Sequence, residues 1–387
     1  MKIGINVSFA RKENTGMGQY TFYLVRAILN LPESQQHVFY LYADEKESLQ
    51  KMPDGNGIIK RVVPTPFYKR DDLVRKTTWE KAILPRQVRK DKIDVFFAPY
   101  NSASSFPLTR YIVTLHDAIW KVYEKEYVNN FRKSIYAKQT FDAVRRASHL
   151  ITVSEYSKKD IIKYLKIDPA FITVIKNGVA EEFKHLDDRK KLVQTLSDLG
   201  IDSPYIFYIG GLEKRKNLDL LLRAFKKIVD NYTNVLEKRK LVIAGEIWGH
   251  EDPLVTNVGK IVADLNLGEK VVVLGKVKNE DRVSLYNGAD LLVFPSFYEG
   301  FGMTVLEAMA CGCPVLASNQ TAIPEVGGEA IEYFNPNRED ELVQRLNKLL
   351  ADTTARSELA RKGINRAREF NWQTTAEKTM TVLTNLN

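Results

Sequence analysis

Glu299 and Glu307 stand eight positions apart in the stretch FPSFYEGFGMTVLEAMACGCPVLAS, with Gly300, Phe301 and Gly302 between them. The run DLLVFP, ended by Pro295, has the make-up of a buried strand. SFYEGFG reads as a loop, and MTVLEAMACG as a helix with Val305, Leu306 and Met309 facing inward. The first N–H groups of a helix have no intrahelical acceptor, so a helix beginning near Met303 presents the amides of Gly302, Met303 and Thr304 to an anion. Glycine at 300 and 302 lets the backbone approach a ligand closely and take up positive φ. Glu307 lies about one turn into the helix, where its carboxylate reaches a group beside the bound anion and can accept from paired hydroxyls such as those of a ribose. Glu299 lies on the loop ahead of it.

A second constellation, YIFYIGGLEKRKNLDLLLRAF, places Gly210 and Gly211 at a strand end and Arg215 and Lys216 just ahead of Asn217, which reads as a helix N-cap. Two fixed cations there can neutralise a diphosphate, arginine by forking across two oxygens and lysine as a point charge. In RKENTGMGQYTFYLVRAIL, Gly16 and Gly18 open a helix and offer further amides, with plain loop flexibility as the competing explanation. The dinucleotide pattern G-x-G-x-x-G followed by an acidic residue ~20 positions on is absent. His116 and Asp117 follow the buried strand YIVTL directly, a place for either a structural histidine or a hydrogen-bond partner of substrate. Neither a D-x-D pair between apolar strands, nor a His/Cys cluster at ligand spacing, nor G-x-S-x-G occurs, so neither metal nor a serine nucleophile is expected.

These groups need strand ends to hold them. Strand candidates in the first half are KIGINV, HVFYLY, IDVFFA, YIVTL, HLITV and ITVIKN; in the second they are YIFYIG, LVIAG, KVVVLG, DLLVFP, PVLAS and AIEYF. Alternation with amphipathic runs points to βα units and two doubly wound parallel sheets, whose ligands bind at the carboxyl ends of strands. The seam is expected within KNGVAEEFKHLDDRKK, giving domains 1–183 and 184–370, with a last helix 371–387 after a break near Asn371.

With 387 residues, 44% hydrophobic and 27% charged, the composition is that of a globular chain and excludes disordered and fibrous classes. Nothing at the N-terminus reads as a signal peptide, and no window approaches the ~20 apolar residues of a membrane span. Cys311 and Cys313 read as small buried thiols, which suits a cytoplasmic compartment. The net charge of +9 favours an anionic partner. Residues 61–92 alone carry ten Lys/Arg against four Asp/Glu. Nucleic-acid signatures are missing, so a phosphate-bearing substrate or an anionic membrane fits better than nucleic acid. The stretch 69–92, with Leu73, Trp79, Ile83 and Leu84 as an apolar face, suits either peripheral contact with anionic lipid at the inner face of the membrane or a helix packed on its own domain.

On these residues the chain resembles the retaining glycosyltransferases of family 4, whose GT-B fold is α/β, with two Rossmann-like doubly wound domains facing a central cleft. EGFGMTVLE matches the family's E-x7-E motif, GGLEKRKNL its phosphate-binding turn, TGMGQYTFYL its N-terminal glycine loop, and VSEYSKKDI and IKNGV its inter-domain region. The resemblance implies a nucleotide-sugar donor, an acceptor that is a glycan or lipid-linked, and no cofactor or metal. By it, Glu307 holds the donor's ribose, Glu299 contacts the transferred sugar, and Gly300, Phe301, Gly302, Met303 and Thr304 support sugar and phosphate. Arg215 and Lys216 bind the diphosphate, Gly211 lies in their turn, Gly16 and Gly18 close over the phosphates, and His116 touches the sugar. Gly275, Lys276 and Val277 pack on the nucleobase, and the helix around Trp372 crosses back to the N-terminal domain. Many members carry arginine where this chain has Gly211; Arg215 then supplies the second charge, a pattern similar to the mannosyltransferase-like branch of bacterial surface polysaccharide synthesis. The donor expected is GDP-mannose. Retention is expected through front-face attack, with Glu299 as nucleophile the open alternative. A UDP-sugar donor, a GT-B phosphorylase or epimerase, and a non-catalytic nucleotide-binding module are the other readings.

Overall fold

The computed structural model describes every residue except 13–14, 66–71, 103, 105, 107–108, 128–130, 233–238, 246–253 and 386–387, and of residues 72–73, 127 and 131–133 the backbone only. The chain divides into two compact units, Met1–Gly178 with Asn371–Asn387, and Val179–Phe370. Residues 179–183, placed by sequence in the first domain, belong to the second unit.

The first unit holds seven parallel strands: β1 (Lys2–Asn6), β2 (Val38–Ala43), β3 (Ile58–Val62), β4 (Val95–Ala98), β5 (Arg110–Thr114), β6 (His149–Thr152) and β7 (Ile172–Val174). Their order is β3-β2-β1-β4-β5-β6-β7. Six coincide with sequence candidates; β3 does not. Its IIKRV carries two basic residues and leaves Val62 46% exposed, because it is an edge strand bonded only through β2, and edge strands tolerate charge and exposure that hide the apolar signal. β4 and β6 are buried throughout and β2 at all but its first residue, as sheets covered on both faces require. The Trp372–Asn385 helix packs against the Gly16–Asn30 helix in this unit.

The second unit has six parallel strands: β8 (Tyr205–Ile209), β9 (Lys240–Ala244), β10 (Val271–Gly275), β11 (Leu291–Phe294), β12 (Val315–Ser318) and β13 (Glu332–Phe334), in the order β10-β9-β8-β11-β12-β13. β8 pairs with β11 through Leu291↔Ile206 and Leu292↔Phe207. Strand order reverses direction between these two, the switch point beyond whose carboxyl ends sheets of this kind bind their ligands. The loop after β8 carries Arg215 and Lys216; the one after β11 carries Glu299.

The 69–92 stretch turns Trp79, Leu84 and Val88 inward and leaves Val74 exposed. Trp79 and Leu84 lie in the core of the first unit, Ile83 packs against it, and Trp79 Nε1 donates to the Val63 carbonyl at 2.6 Å. The Leu73 side chain and residues 69–71 lie outside what is described. Arg75 pairs with Asp44 (3.1 Å) and with Glu45, and Lys76 lies 4.9 Å over the rings of both Phe9 and Tyr136, near the buried Glu80. Of the two readings of this stretch, the apolar face expected for lipid is therefore replaced by the packed helix: burying Trp79 and Leu84 against the sheet removes more apolar surface from water than a loose surface contact would. Among the described residues no helix is long and apolar enough to cross a membrane.

Candidate functional site

Lys214–Lys216 form one 3-10 turn after β8, and the Arg215 carbonyl accepts from Phe297 N at 2.8 Å, which ties the loops after β8 and β11 together. Lys216 is buried over the ring of Phe294, the last residue of β11 (5.4 Å), and its Nζ donates to Glu299 Oε1 at 2.6 Å. Arg215 Nη1 donates to the Tyr298 carbonyl at 3.1 Å and lies 3.7 Å from the same Glu299 oxygen. Burial pushes the Glu299 carboxyl up, but Lys216 and then Arg215 outweigh it and hold it below the ordinary carboxylate range. Burial, with Arg215 next, pulls the Lys216 ammonium down against the opposing pull of Glu299. The two expected phosphate cations and the expected sugar-binding carboxylate are thus one ion-paired cluster.

Asn217 is the N-cap of the Leu218–Asn231 helix by position, but its side chain does not cap. It adopts a left-handed conformation and donates to the Pro336 carbonyl at 3.0 Å. Tyr208 OH reaches the Gly211 carbonyl at 2.7 Å, pinning the turn.

The Met303–Ala310 helix starts where expected, with Gly302 at φ +118° as N-cap. Phe301 is buried edge-on against Phe370 (6.0 Å), and Glu299 N donates to Thr321 Oγ1 at 3.0 Å, so the loop is anchored on both sides of Gly300. Thr304 and Met303 are half-buried on the first turn, while Val305, Leu306 and Met309 are in the core.

Glu307 is 1% exposed, far deeper than a residue that merely complements a helix dipole. Its Oε2 accepts from Arg282 Nη2 and from Tyr286 OH at 2.8 Å. Sequence reasoning missed both donors. Their spacing of four on the Asn279–Gly288 helix marks a shared face, but in NEDRVSLYNG that face reads as solvated. Gly275, at φ +68°, accepts through its carbonyl from Gly245 N at 2.8 Å, with Lys276 exposed and Val277 half-buried beside it. Cys311 and Cys313 are free and buried, and burial pushes the Cys313 thiol up to about 12.

In the first unit, His116 follows β5. Its Nε2 is 3.0 Å from the Pro99 carbonyl, an acceptor only, so Nε2 carries the proton and Nδ1 keeps its lone pair. Burial lowers its pKa to about 4 against the opposing Pro99 bond, so the ring is neutral near pH 7. Tyr20 packs edge-on against it at 4.6 Å and in turn lies edge-on to Trp372 at 5.8 Å. Gly16 is the first residue of its helix, with open space where a Cβ would stand. Gly18 departs from expectation: its amide donates to Thr15 Oγ1 at 3.1 Å, so it is capped within the chain instead of offered to an anion. A Cβ on Gly18 would stand 1.9 Å from the Lys12 carbonyl, which makes close backbone packing the reason for glycine here.

Two family models match in succession: Glycosyltransferase Family 4 over residues 14–183 and Glycosyl transferases group 1 over residues 197–370. The chain belongs to the family 4 glycosyltransferases. This family 4 chain is 26% identical over 376 residues to the O-antigen chain mannosyltransferase B of Escherichia coli, covering 95% of each. It is 27% identical over 269 residues to the serotype-specific mannosyltransferase WbdA of Escherichia coli, a match that takes in 68% of this chain and 32% of WbdA. It therefore spans about a third of the WbdA length. Among solved structures, Alr3699/HepE of Anabaena in complex with UDP and glucose superposes with a TM-score of 0.74 at 18% identity, covering 99% of both chains. The fold is GT-B, built of two Rossmann-like domains.

Proposed function

We propose that this glycosyltransferase moves mannose from GDP-mannose to a glycan or lipid-linked acceptor, with retention and without a metal ion, in the making of a surface polysaccharide or glycolipid. One observation carries the catalytic part: the Lys216–Arg215–Glu299 cluster joins the loops that follow β8 and β11 at the switch point of the sheet, just ahead of the Met303–Ala310 helix. The choice of mannose is supported by the likeness to the two Escherichia coli mannosyltransferases.

In the reaction, the bond from the anomeric carbon to the diphosphate oxygen breaks, and a bond from the same carbon to an acceptor hydroxyl oxygen forms. Its proton passes to the departing phosphate. Negative charge builds on that phosphate, where Lys216, Arg215 and the helix N–H groups stabilise it, and fixed donors of this kind need no reorganisation as the charge appears. Glu307 accepts from the ribose hydroxyls at the nucleoside end. At the sugar end, Glu299 accepts from hydroxyls while keeping Lys216 in place. His116 acts as a neutral ring, its Nδ1 accepting from a sugar hydroxyl.

A donor screen tests this. GDP- and UDP-sugars are offered with and without a chelator to the wild type and to Glu307→Ala. GDP-mannose is expected to be consumed by the wild type in chelator and poorly by the variant, and NMR of the product to show the donor's anomeric configuration. Turnover of a UDP-sugar alone replaces the donor assignment, loss of activity in chelator removes metal independence, and no turnover of any nucleotide sugar removes the reading.

A further inference from the structure

The enclosed carboxylate of Glu307 is held in an uneven way. Its Oε2 takes both donors, the Arg282 guanidinium and the Tyr286 hydroxyl, whereas Oε1 is buried and accepts no hydrogen bond among the described residues. A buried polar atom left without a partner costs free energy, so natural sites rarely keep one unless something outside the chain completes it. The two donors are themselves fixed. Arg282 Nη1 donates to Asn279 Oδ1 at 3.1 Å, and the guanidinium lies 5.2 Å over the ring of Phe183. Tyr286 is fully buried, edge-on to Phe207 at 5.5 Å. Burial and then the Glu307 carboxylate push the Tyr286 phenol well above its ordinary value, so it stays a donor.

The geometry assigns Arg282 and Tyr286 as positioning residues that occupy Oε2 of Glu307 and so reserve Oε1 for a hydroxyl of the ligand's vicinal diol, making the site select ribose over its deoxy forms. This rests on the role of Glu307 given above. Arg282 also balances a charge that would be costly to bury alone, and Tyr286 fixes the rotation of the carboxyl group about its stem.

The test measures dissociation constants by calorimetry on the full chain, for GDP or UDP, whichever binds more tightly, and for its 2′,3′-dideoxy counterpart. Pyrophosphate, which has no ribose, is the control for the cationic end. The wild type is expected to prefer the ribonucleotide by about 10- to 100-fold, the worth of hydrogen bonds to a charged group. Tyr286→Phe is expected to cut that preference severalfold, Arg282→Met to nearly abolish it, and Arg282→Lys to restore part, all with pyrophosphate binding unchanged. Retention of the full wild-type preference in both Tyr286→Phe and Arg282→Met overturns the assignment while leaving Glu307 in its role. If the wild type itself fails to distinguish the two nucleotides, the role of Glu307 falls and this inference with it. Should Arg282→Met also lose pyrophosphate, Tyr286→Phe, which deletes a single oxygen, decides.

Discussion

Replacing Lys216 by methionine keeps the stem over Phe294 and removes only the ammonium. At 2.6 Å from Glu299 Oε1, and with an effective dielectric constant of about 20, the gross attraction lost is about 6 kcal/mol. Much of this is offset by the desolvation of side chains that are 11% and 12% exposed. Breaking a buried pair costs about 3–5 kcal/mol when the remaining charge is stranded. Here Arg215 stays 3.7 Å away, so about 2–3 kcal/mol is expected, a fall in Tm of roughly 5–10 °C. Adding Glu299→Gln removes the stranded charge and is expected to return most of that stability, since a neutral pair of similar volume replaces an ion pair at little cost. Activity should not return with it. If Lys216 stabilises the departing phosphate, kcat falls about 10²- to 10³-fold in the single and double variants alike. Thermal melts and initial rates with the preferred donor separate the two effects. A double variant that regains activity together with stability refutes the reasoning, because Lys216 would then serve only to neutralise Glu299.

The neutral state of His116 gives a second expectation. Its pKa falls from 6.5 to about 4 on folding, so between those values the unfolded chain binds a proton that the folded chain does not. Stability is complete above 6.5 and drops by about 3 kcal/mol as the pH falls to 4. His116→Gln should flatten that part of a plot of urea midpoint against pH, and an unchanged slope counts against the assignment. Gly302→Ala places a side chain at φ +118° with 3.9 Å of clearance to Val326, so the penalty is backbone strain of about 1–3 kcal/mol and weaker pyrophosphate binding; equal affinity in calorimetry removes the helix start from the anion site. Trp79→Ala is expected to cost about 3–5 kcal/mol as a core truncation, read as a lower urea midpoint; an unchanged midpoint with weaker sedimentation on anionic vesicles would turn Trp79 outward.

Most of the fold was legible because buried parallel strands read as apolar runs, and twelve such runs coincide with strands. β3 escaped, since an edge strand with Lys60 and Arg61 carries little apolar signal. In the site, the loop–helix around Gly302 was legible from local chemistry alone: a strand end, two glycines and an apolar helix face. What stayed hidden depends on partners distant in sequence. Lys216 and Glu299 are 83 positions apart, and nothing local in either segment says that they pair. Arg282 is 25 positions from Glu307 and lies on a helix whose composition suggests solvent. Asn217 misled for a related reason, since tertiary packing takes its side chain to Pro336, whereas Gly18 misled for a local one: the Thr15 N-cap three residues earlier takes up its amide.

The two glutamates of one motif are each paired with a cation, Glu307 with Arg282 and Glu299 with Lys216, and the pairing of Glu299 bears on the route of the proposed retention. A carboxylate that attacks the anomeric carbon must present a free, basic oxygen. Glu299 Oε1 is bonded to Lys216 and close to Arg215, and these cations hold its proton affinity below the ordinary range. The lone pairs of Oε1 are thus engaged, and freeing them would withdraw Lys216 from the arrangement proposed to stabilise the departing phosphate. The same pairing suits a group that holds hydroxyls and keeps a cation in place, which favours front-face attack by the acceptor, with the departing phosphate taking the proton. Azide distinguishes the routes. If Glu299 were the nucleophile, Glu299→Ala would leave a cavity in which azide attacks from the opposite face, restoring donor consumption and yielding a glycosyl azide of inverted configuration. Front-face attack predicts no rescue and no such product by NMR, at azide concentrations that leave the wild-type rate unchanged.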